Sequence, residues 1–298
     1  MATLRELKGR IGSVASSEKI TGAMKMISSA KMHKAEGVLR RLKPYRDCVR
    51  TIIASLLSSD APVSSPLTQE RQQVKRVAVV VFGSDDGLCG AYNVNVFKGL
   101  LAKIDELRRD CGQDVTIDIV PVGKKIFKAV DKIAGHDPQL NVHSEFNVDS
   151  RSDGETVKTF GAELSSRFLS GALDRVDLLF VHYLTAGKQR LGSDSYLPVS
   201  PATLSADSAG AGSGRPYLFE PDAASIFSTV LPMYLLAQMQ DAFAENRASE
   251  QAARVMAMQS ANDNAQKLLE QLQLEYNKLR QQGITTELLD IVGGQARD

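Results

Sequence analysis

The stretch Leu4-Arg-Glu-Leu-Lys-Gly-Arg-Ile-Gly-Ser-Val14 decides the fold: its apolar residues Leu4, Leu7, Ile11 and Val14 fall at spacings of 3, 4 and 3. That is the seam of a helix built to lie along another helix. The stripe continues, less regularly, through Ile20, Met24, Ile27, Ala35, Val38 or Leu39, and Leu42, so one helix is expected over about 4–57. A second such stretch runs from about Asp222 to Val292, with Leu231, Leu235, Phe243, Leu268, Leu272, Leu279, Leu288 and Ile291 at mostly helical spacing. At ~1.5 Å per residue the two would span roughly 80 and 105 Å, too long to be buried in one small core. Their stripes must face each other, and beyond that a partner. Gly9, Gly12 and Gly22 suggest close packing or bending. Pro44 is expected to kink or divide the first helix, and Pro232 to distort the first turns of the last.

Between the helices the period changes. Residues 58–73 are polar and turn-rich, a linker pattern. Val74–Phe82 is a β-branched run suited to a buried parallel strand. Helix is expected over Asn93–Arg109, strand over Val115–Val122, helix over Lys124–Ile133, a weaker strand in Leu140–Phe146, helix over Glu155–Leu173 and strand over Val176–Tyr183. The alternation argues an α/β layer domain over 74–200. Residues 201–216 are a Ser/Ala/Gly loop, 217–221 reads as extended, and Asp222 after Pro221 is a fair N-cap for the terminal helix, 222–298.

The net charge of +1 hides an asymmetry. Residues 1–50 carry 12 Lys/Arg against 4 Asp/Glu, a net of +8, whereas 222–298 carry 6 against 10, a net of −4. A basic first helix suits phosphate, anionic lipid or an acidic protein surface, or it pairs with the acidic last helix; composition does not choose. No apolar run approaches the ~20 residues of a membrane span, and the start has neither a secretory h-region nor a transit pattern. Cys48, Cys89 and Cys111 form no CxxC pair and read as small buried apolar residues in a reducing compartment.

Gly83-Ser-Asp-Asp-Gly-Leu-Cys-Gly90 stands where a phosphate loop would, after a strand and before a helix. It matches neither GxGxxG nor a Walker sequence, and Asp85 and Asp86 would repel a pyrophosphate; a tight structural turn is the better reading. His33, His136, His143 and His182 show no metal-ligand spacing, and no base is paired with Cys89. Two rivals remain: an α/β enzyme using this loop for a nucleotide, and a basic helical module binding nucleic acid or membrane. The density of small, amide and Met residues in Ile20–Lys31, Ala248–Arg254 and Leu272–Lys278 favours a protein-contact surface over a solvated face.

Those same segments carry a resemblance. Lys19-Ile-Thr-Gly-Ala-Met-Lys-Met-Ile-Ser-Ser-Ala-Lys-Met32, Asp86-Gly-Leu-Cys-Gly90 with Asn93-Val-Asn-Val-Phe97, Ala248-Ser-Glu-Gln-Ala-Ala-Arg254 through Met258, and Leu272–Gln281 with Ile284-Thr-Thr-Glu-Leu288 resemble the gamma subunits of F-type ATP synthases. Residues 100–215 match mainly in pattern. The resemblance implies an α/β fold class: a long antiparallel coiled coil of the N- and C-terminal helices with a central Rossmann-like domain. It implies the rotor shaft, a subunit without a catalytic site, cofactor, metal or nucleic-acid partner, coupling ion-driven turning of the c-ring to ATP synthesis or hydrolysis. The implied partners are the alpha and beta subunits, the epsilon subunit and the c-ring, at the cytoplasmic face of a bacterial inner membrane. By motif match, Met24, Lys25, Glu250, Arg254, Gln281 and Thr285 are the expected rotor–stator contacts; Arg254 and Gln281 form a catch to a beta-subunit loop, with pairing inside the shaft as the alternative. Ile284–Val292 is the expected apolar tip, and Gly87, Cys89 and Gly90 the foot-domain turn. The plastid relatives' inserted cysteine pair is missing, so thiol control is not expected, and the 201–216 loop has no assigned family role. The direct helical start favours a bacterial protein.

Overall fold

The computed structural model describes residues 3–58, 63–146, 148–200 and 219–295, with side chains to 289. The chain forms two compact units, one from Met1–Ser29 with Arg254–Asp298, the other Ala30–Ala253.

The larger unit is built on a five-stranded sheet. β1 (Arg76–Phe82), β2 (Thr116–Val122), β3 (Leu140–Val142), β4 (Arg175–Thr185) and β5 (Lys188–Leu197) stand in the order β3-β2-β1-β4-β5. The first four are parallel, and β5 returns antiparallel to β4. Side chains alternate across a strand, so β1 feeds two cores at once. Val77, Val79 and Val81 meet α2 (Tyr92–Cys111) and α3 (Lys124–Ala134) through Val96, Leu100, Ile126 and Val130. Ala78, Val80 and Phe82 face the other way, onto α4 (Gly154–Leu169) through Phe160 and Leu164. Both long helices complete that second core. α1 (Leu4–Leu57) inserts Val49, Ile53 and Leu56, and α5 (Ala223–Gln295) inserts Phe227, Leu231, Leu235, Met239 and Phe243. Phe243 stacks edge-on against Phe82, with centroids 4.9 Å apart.

In the smaller unit α1 and α5 run antiparallel: Thr21 meets Asn262 (Oγ1 to Oδ1, 3.3 Å), and Gln266 Nε2 donates to Glu18 (3.3 Å). A Cβ on Gly22 would sit 3.3 Å from the Asn262 amide oxygen, so this glycine marks a close approach; Gly9 and Gly12 have nothing within 4 Å and mark none. Leu7 and Leu272 are buried, whereas Ile20 (59% exposed), Met26 (69%) and Ile27 (57%) are not satisfied within the chain.

Several expectations change. Neither proline divides its helix: α1 is continuous through Pro44 and α5 through Pro232. Both prolines are exposed, so the carbonyls that lose a donor lie on the solvent side. α4 ends at Leu169, four residues early, because Gly171 adopts φ +78°. The 58–73 linker contains a 3-10 turn at Pro66–Thr68, capped by Ser65 and anchored by buried Leu67. Strand β5 is unforeseen: its polar sequence Lys-Gln-Arg-Leu-Gly-Ser-Asp-Ser-Tyr-Leu has no buried alternation, and only pairing with β4 makes it a strand. Cys89 is buried as expected and Cys111 half-buried, but Cys48 is exposed. Asp222 caps α5, its carboxylate accepting the Ser225 N–H at 2.8 Å. The 201–216 loop lies outside the described residues.

Replacing Pro232 by Ala restores a backbone donor on the solvent face of α5. Because proline in a helix interior costs ~3 kcal/mol relative to alanine, Pro232→Ala is expected to stabilise the chain by about 1 kcal/mol or more in a denaturant titration followed by helical circular dichroism. An unchanged midpoint would mean that α5 has relaxed around the proline.

Candidate functional site

In an open α/β sheet the ligand crevice lies at the carboxyl ends of the strands, where the strand order reverses. Here that point falls between β1 and β4, and a helix fills it. Asn246 of α5 donates from Nδ2 to the Gly83 carbonyl at the end of β1 (3.0 Å) and accepts from the Tyr92 hydroxyl of α2 (2.6 Å). Ser249 donates to the Val181 carbonyl of β4 at 2.8 Å. Ala244, Ala248 and Ala252, one turn apart, are all buried. Their small side chains let the α5 backbone come close enough for these two polar groups to reach the strand ends.

The flank of the crevice is charged. His182 Nδ1 lies 2.9 Å from Glu245 of α5, which also accepts the Tyr183 N–H at 3.3 Å; His182 Nε2 lies 3.6 Å from Asp194 of β5. Gly192 makes room for the ring, since a Cβ there would stand 2.6 Å from Nε2. The hydrogen bond to Glu245 raises the His182 pKa above its ordinary value against the opposing effect of burial. Burial pushes Asp194 up, and pushes Asp241 up to about 6 despite its ion pair with Arg46.

The glycine loop is folded onto itself. Asn93 accepts the Ser84 N–H (3.1 Å) and donates to Ser84 Oγ (2.8 Å) and the Cys89 sulfur (3.4 Å). Asp85 accepts the Lys124 N–H at the start of α3 (3.0 Å) and the Ser150 hydroxyl (2.6 Å), and Asp86 pairs with Arg151. The carboxylates thus occupy the donors that a phosphate would use. Gly90 has φ +59°, a conformation glycine adopts freely; Gly87 has no such requirement, and Leu88 takes φ +63° beside it.

The expected contact residues separate by exposure. Gln281 and Thr285 are exposed one turn apart, with the Thr285 hydroxyl donating to the Gln281 carbonyl at 2.9 Å. Met24 and Lys25 are half-buried. Glu250 and Arg254 are buried, at 4% and 6% exposure. Asn246, Ser249 and His182 were not read as site residues. The one sequence signal pointing to α5's role was the alanine spacing around Ser249.

A doubly wound sheet whose crevice is closed by its own terminal helix, with that helix continuing into an antiparallel pair, defines an α/β protein organised around two long helices. The ATP synthase family matches residues 3–296. The ATP synthase gamma chain of Bacteroides fragilis is 44% identical over 294 residues, 99% of each chain, and that of Chromobacterium violaceum 36% over 297 residues, 99% of each. Among solved structures, one from Euglena gracilis mitochondrial ATP synthase, OSCP/F1/c-ring in rotational state 3, is similar with a TM-score of 0.61 at 19% identity, covering 98% of this chain and 93% of that one. Another, the rotor of the same assembly in rotational state 1, gives 0.58 at 20%, covering 94% and 98%. The chain belongs to the ATP synthase gamma chain family.

Two outcomes are expected. Asn246→Leu keeps the volume but takes the side-chain donor from the buried Gly83 carbonyl and the 2.6 Å acceptor from the Tyr92 hydroxyl, which keeps the Asn246 backbone carbonyl at 3.5 Å; a loss of about 1–3 kcal/mol in denaturant unfolding is expected, and under about 0.5 would show water replacing the amide. The pH dependence has a definite sign. A raised folded pKa gives His182 a contribution present below 6.5 and lost as pH rises through the folded value; Asp241 contributes below 3.8 and loses it as pH rises through about 6. The melting temperature should therefore fall as pH rises from 3.8 to about 6 through Asp241, and fall further above pH 6.5 through His182, the second fall being smaller in His182→Gln. Equal slopes in both proteins would remove His182 from the account.

Proposed function

We propose that this chain is the central-stalk rotor subunit of an F-type ATP synthase, coupling the turning of an ion-driven c-ring to conformational cycling of the alpha and beta subunits. The observation that carries the reading is the crevice closed by Asn246 and Ser249. The sheet domain spends its ligand position on holding α5, which suits a part that transmits torque and has no catalytic site of its own. The family membership supports it, as do the apolar side chains of Ile20, Met26 and Ile27, left exposed in the chain alone. The epsilon subunit and c-ring would meet the sheet domain and the alpha/beta ring the helical pair, at the cytoplasmic face of the membrane. No helix among the described residues is long and apolar enough to cross it.

Rotation is transmitted only if each orientation makes different contacts with each beta subunit, because a partner satisfied equally in all orientations feels no bias. Met24, Lys25, Gln281 and Thr285 would supply such contacts from the surface. Glu250 and Arg254 would act differently: for Arg254 to complete a catch with Gln281, its buried guanidinium must turn outward on association. Exposed charge pairs are worth ~1 kcal/mol or less each, enough to guide a moving contact without clamping it.

Mixing the chain with alpha and beta subunits and assaying ATP hydrolysis tests the reading. Turnover should depend on the chain and fall several-fold in the double variant Arg254→Ala, Gln281→Ala. Failure to associate would overturn the rotor reading. Full turnover in the double variant would remove the catch alone.

A further inference from the structure

Past Leu179, strand β4 leaves β1 behind. Its register with β1 ends at Val81↔Leu179, whereas its pairing with β5 continues through Val181↔Leu191 and Tyr183↔Gln189 to Thr185↔Lys188. Residues 180–185 and 188–192 therefore project from the sheet as a two-stranded ribbon. Such a ribbon is marginal by itself. Here side chains of both long helices hold it. Ser249 of α5 donates to the Val181 carbonyl (2.8 Å), and Glu245 accepts the Tyr183 N–H (3.3 Å). The Tyr183 hydroxyl in turn donates to Glu36 of α1, whose other carboxylate oxygen lies 3.0 Å from His33 Nδ1.

The Tyr183–Glu36 bond falls where α1 is least embedded. Val49, Ile53 and Leu56 anchor one part of α1 in the apolar core, and Met32 and Ala35 are buried further back. From Glu36 to Cys48, a run of about 20 Å, no residue is buried. Over that run α1 is tied by Glu36 at one end and near the other by Arg46, which pairs with Asp241 of α5. Glu36 and Arg46 are ten residues apart. In an α-helix that separates the two ties by about 15 Å along the axis and about 80° around it. Apolar packing is non-directional and leaves a helix free to roll; two directed bonds on different faces do not. The Tyr183 bond is also charge-assisted. It holds the Glu36 carboxyl below the usual carboxylate range, while burial, and then Glu36, push the Tyr183 hydroxyl up.

We propose that the β4–β5 ribbon is a strap that fixes α1 against the sheet domain, with Tyr183 the positioning residue, so that turning of the one carries the other. This role rests on the rotor reading. Asn246 and Ser249 key α5 to the strand ends. The strap gives α1 a connection of its own to the same sheet, by way of the ribbon. Each long helix is thereby driven by the sheet domain directly. Without the strap, α1 would follow through its apolar anchor and its ion pair with α5.

Two measurements test it. In the full chain alone, hydrogen exchange of the α1 amides over 33–43 should quicken about tenfold or more in Tyr183→Phe and in Glu36→Leu. It should stay near wild type in Glu36→Gln, whose amide oxygen still accepts the hydroxyl. In the complete ATP synthase assembled with this chain in vesicles, Tyr183→Phe and Glu36→Leu should still hydrolyse ATP but move fewer ions per ATP. Glu36→Gln should restore that ratio. A wild-type assembly that moves no ions would overturn the rotor reading itself. With the wild type coupled, a ratio unchanged in both Tyr183→Phe and Glu36→Leu would overturn the strap alone. So would exchange over 33–43 that neither substitution moves, or that quickens equally across β1.

Discussion

The amide of Asn246 is the contact on which the larger unit depends. One side chain satisfies the Gly83 carbonyl where β1 ends and the Tyr92 hydroxyl where α2 begins, both buried. Strand, helix and α5 therefore meet at a single polar group, and displacing any of them breaks a buried hydrogen bond. The apolar side chains around it specify position poorly, because apolar packing is non-directional. The hydrogen bonds of Asn246 and Ser249 set the register of α5 against the strand ends, and the alanines at 244, 248 and 252 allow that approach.

The arrangement explains why a sheet with dinucleotide-binding topology carries no dinucleotide sequence. A phosphate loop needs free backbone donors at a helix start, with glycines that let the ligand close in. Here Asn93 takes the Ser84 donor and Asp85 takes the Lys124 donor. Gly83 is small for a different reason, since a Cβ there would stand 2.6 Å from Ile126. The glycines and acids of the loop serve closure within the chain.

The elements legible in the sequence were those fixed by local pattern. β1 and β2 announced themselves as β-branched runs, α2 and α3 as amphipathic periods, and the two long helices as stripes. β5 was hidden because its strand state comes from pairing with β4, and a polar edge strand has no pattern of its own. The prolines do not divide their helices because both face solvent, which the sequence does not reveal. At the site, the loop was recognised as structural, but Asn246 could not be singled out: an asparagine in a helix has no signature until the strand end above it is known. His182 was similarly one of four unremarkable histidines until Gly192 and Glu245 placed it.

The central claim is that α5 from Ala242 to Ala253 and the ends of β1 and β4 form one cooperative piece. Native-state hydrogen exchange tests it directly. The amides of 242–253 and those of β1 should exchange through a common opening, with the same free energy and the same denaturant dependence. Exchange of the α5 segment through a separate, cheaper opening while β1 stays protected would contradict the account, because the helix would then be resting on the sheet without being held by it.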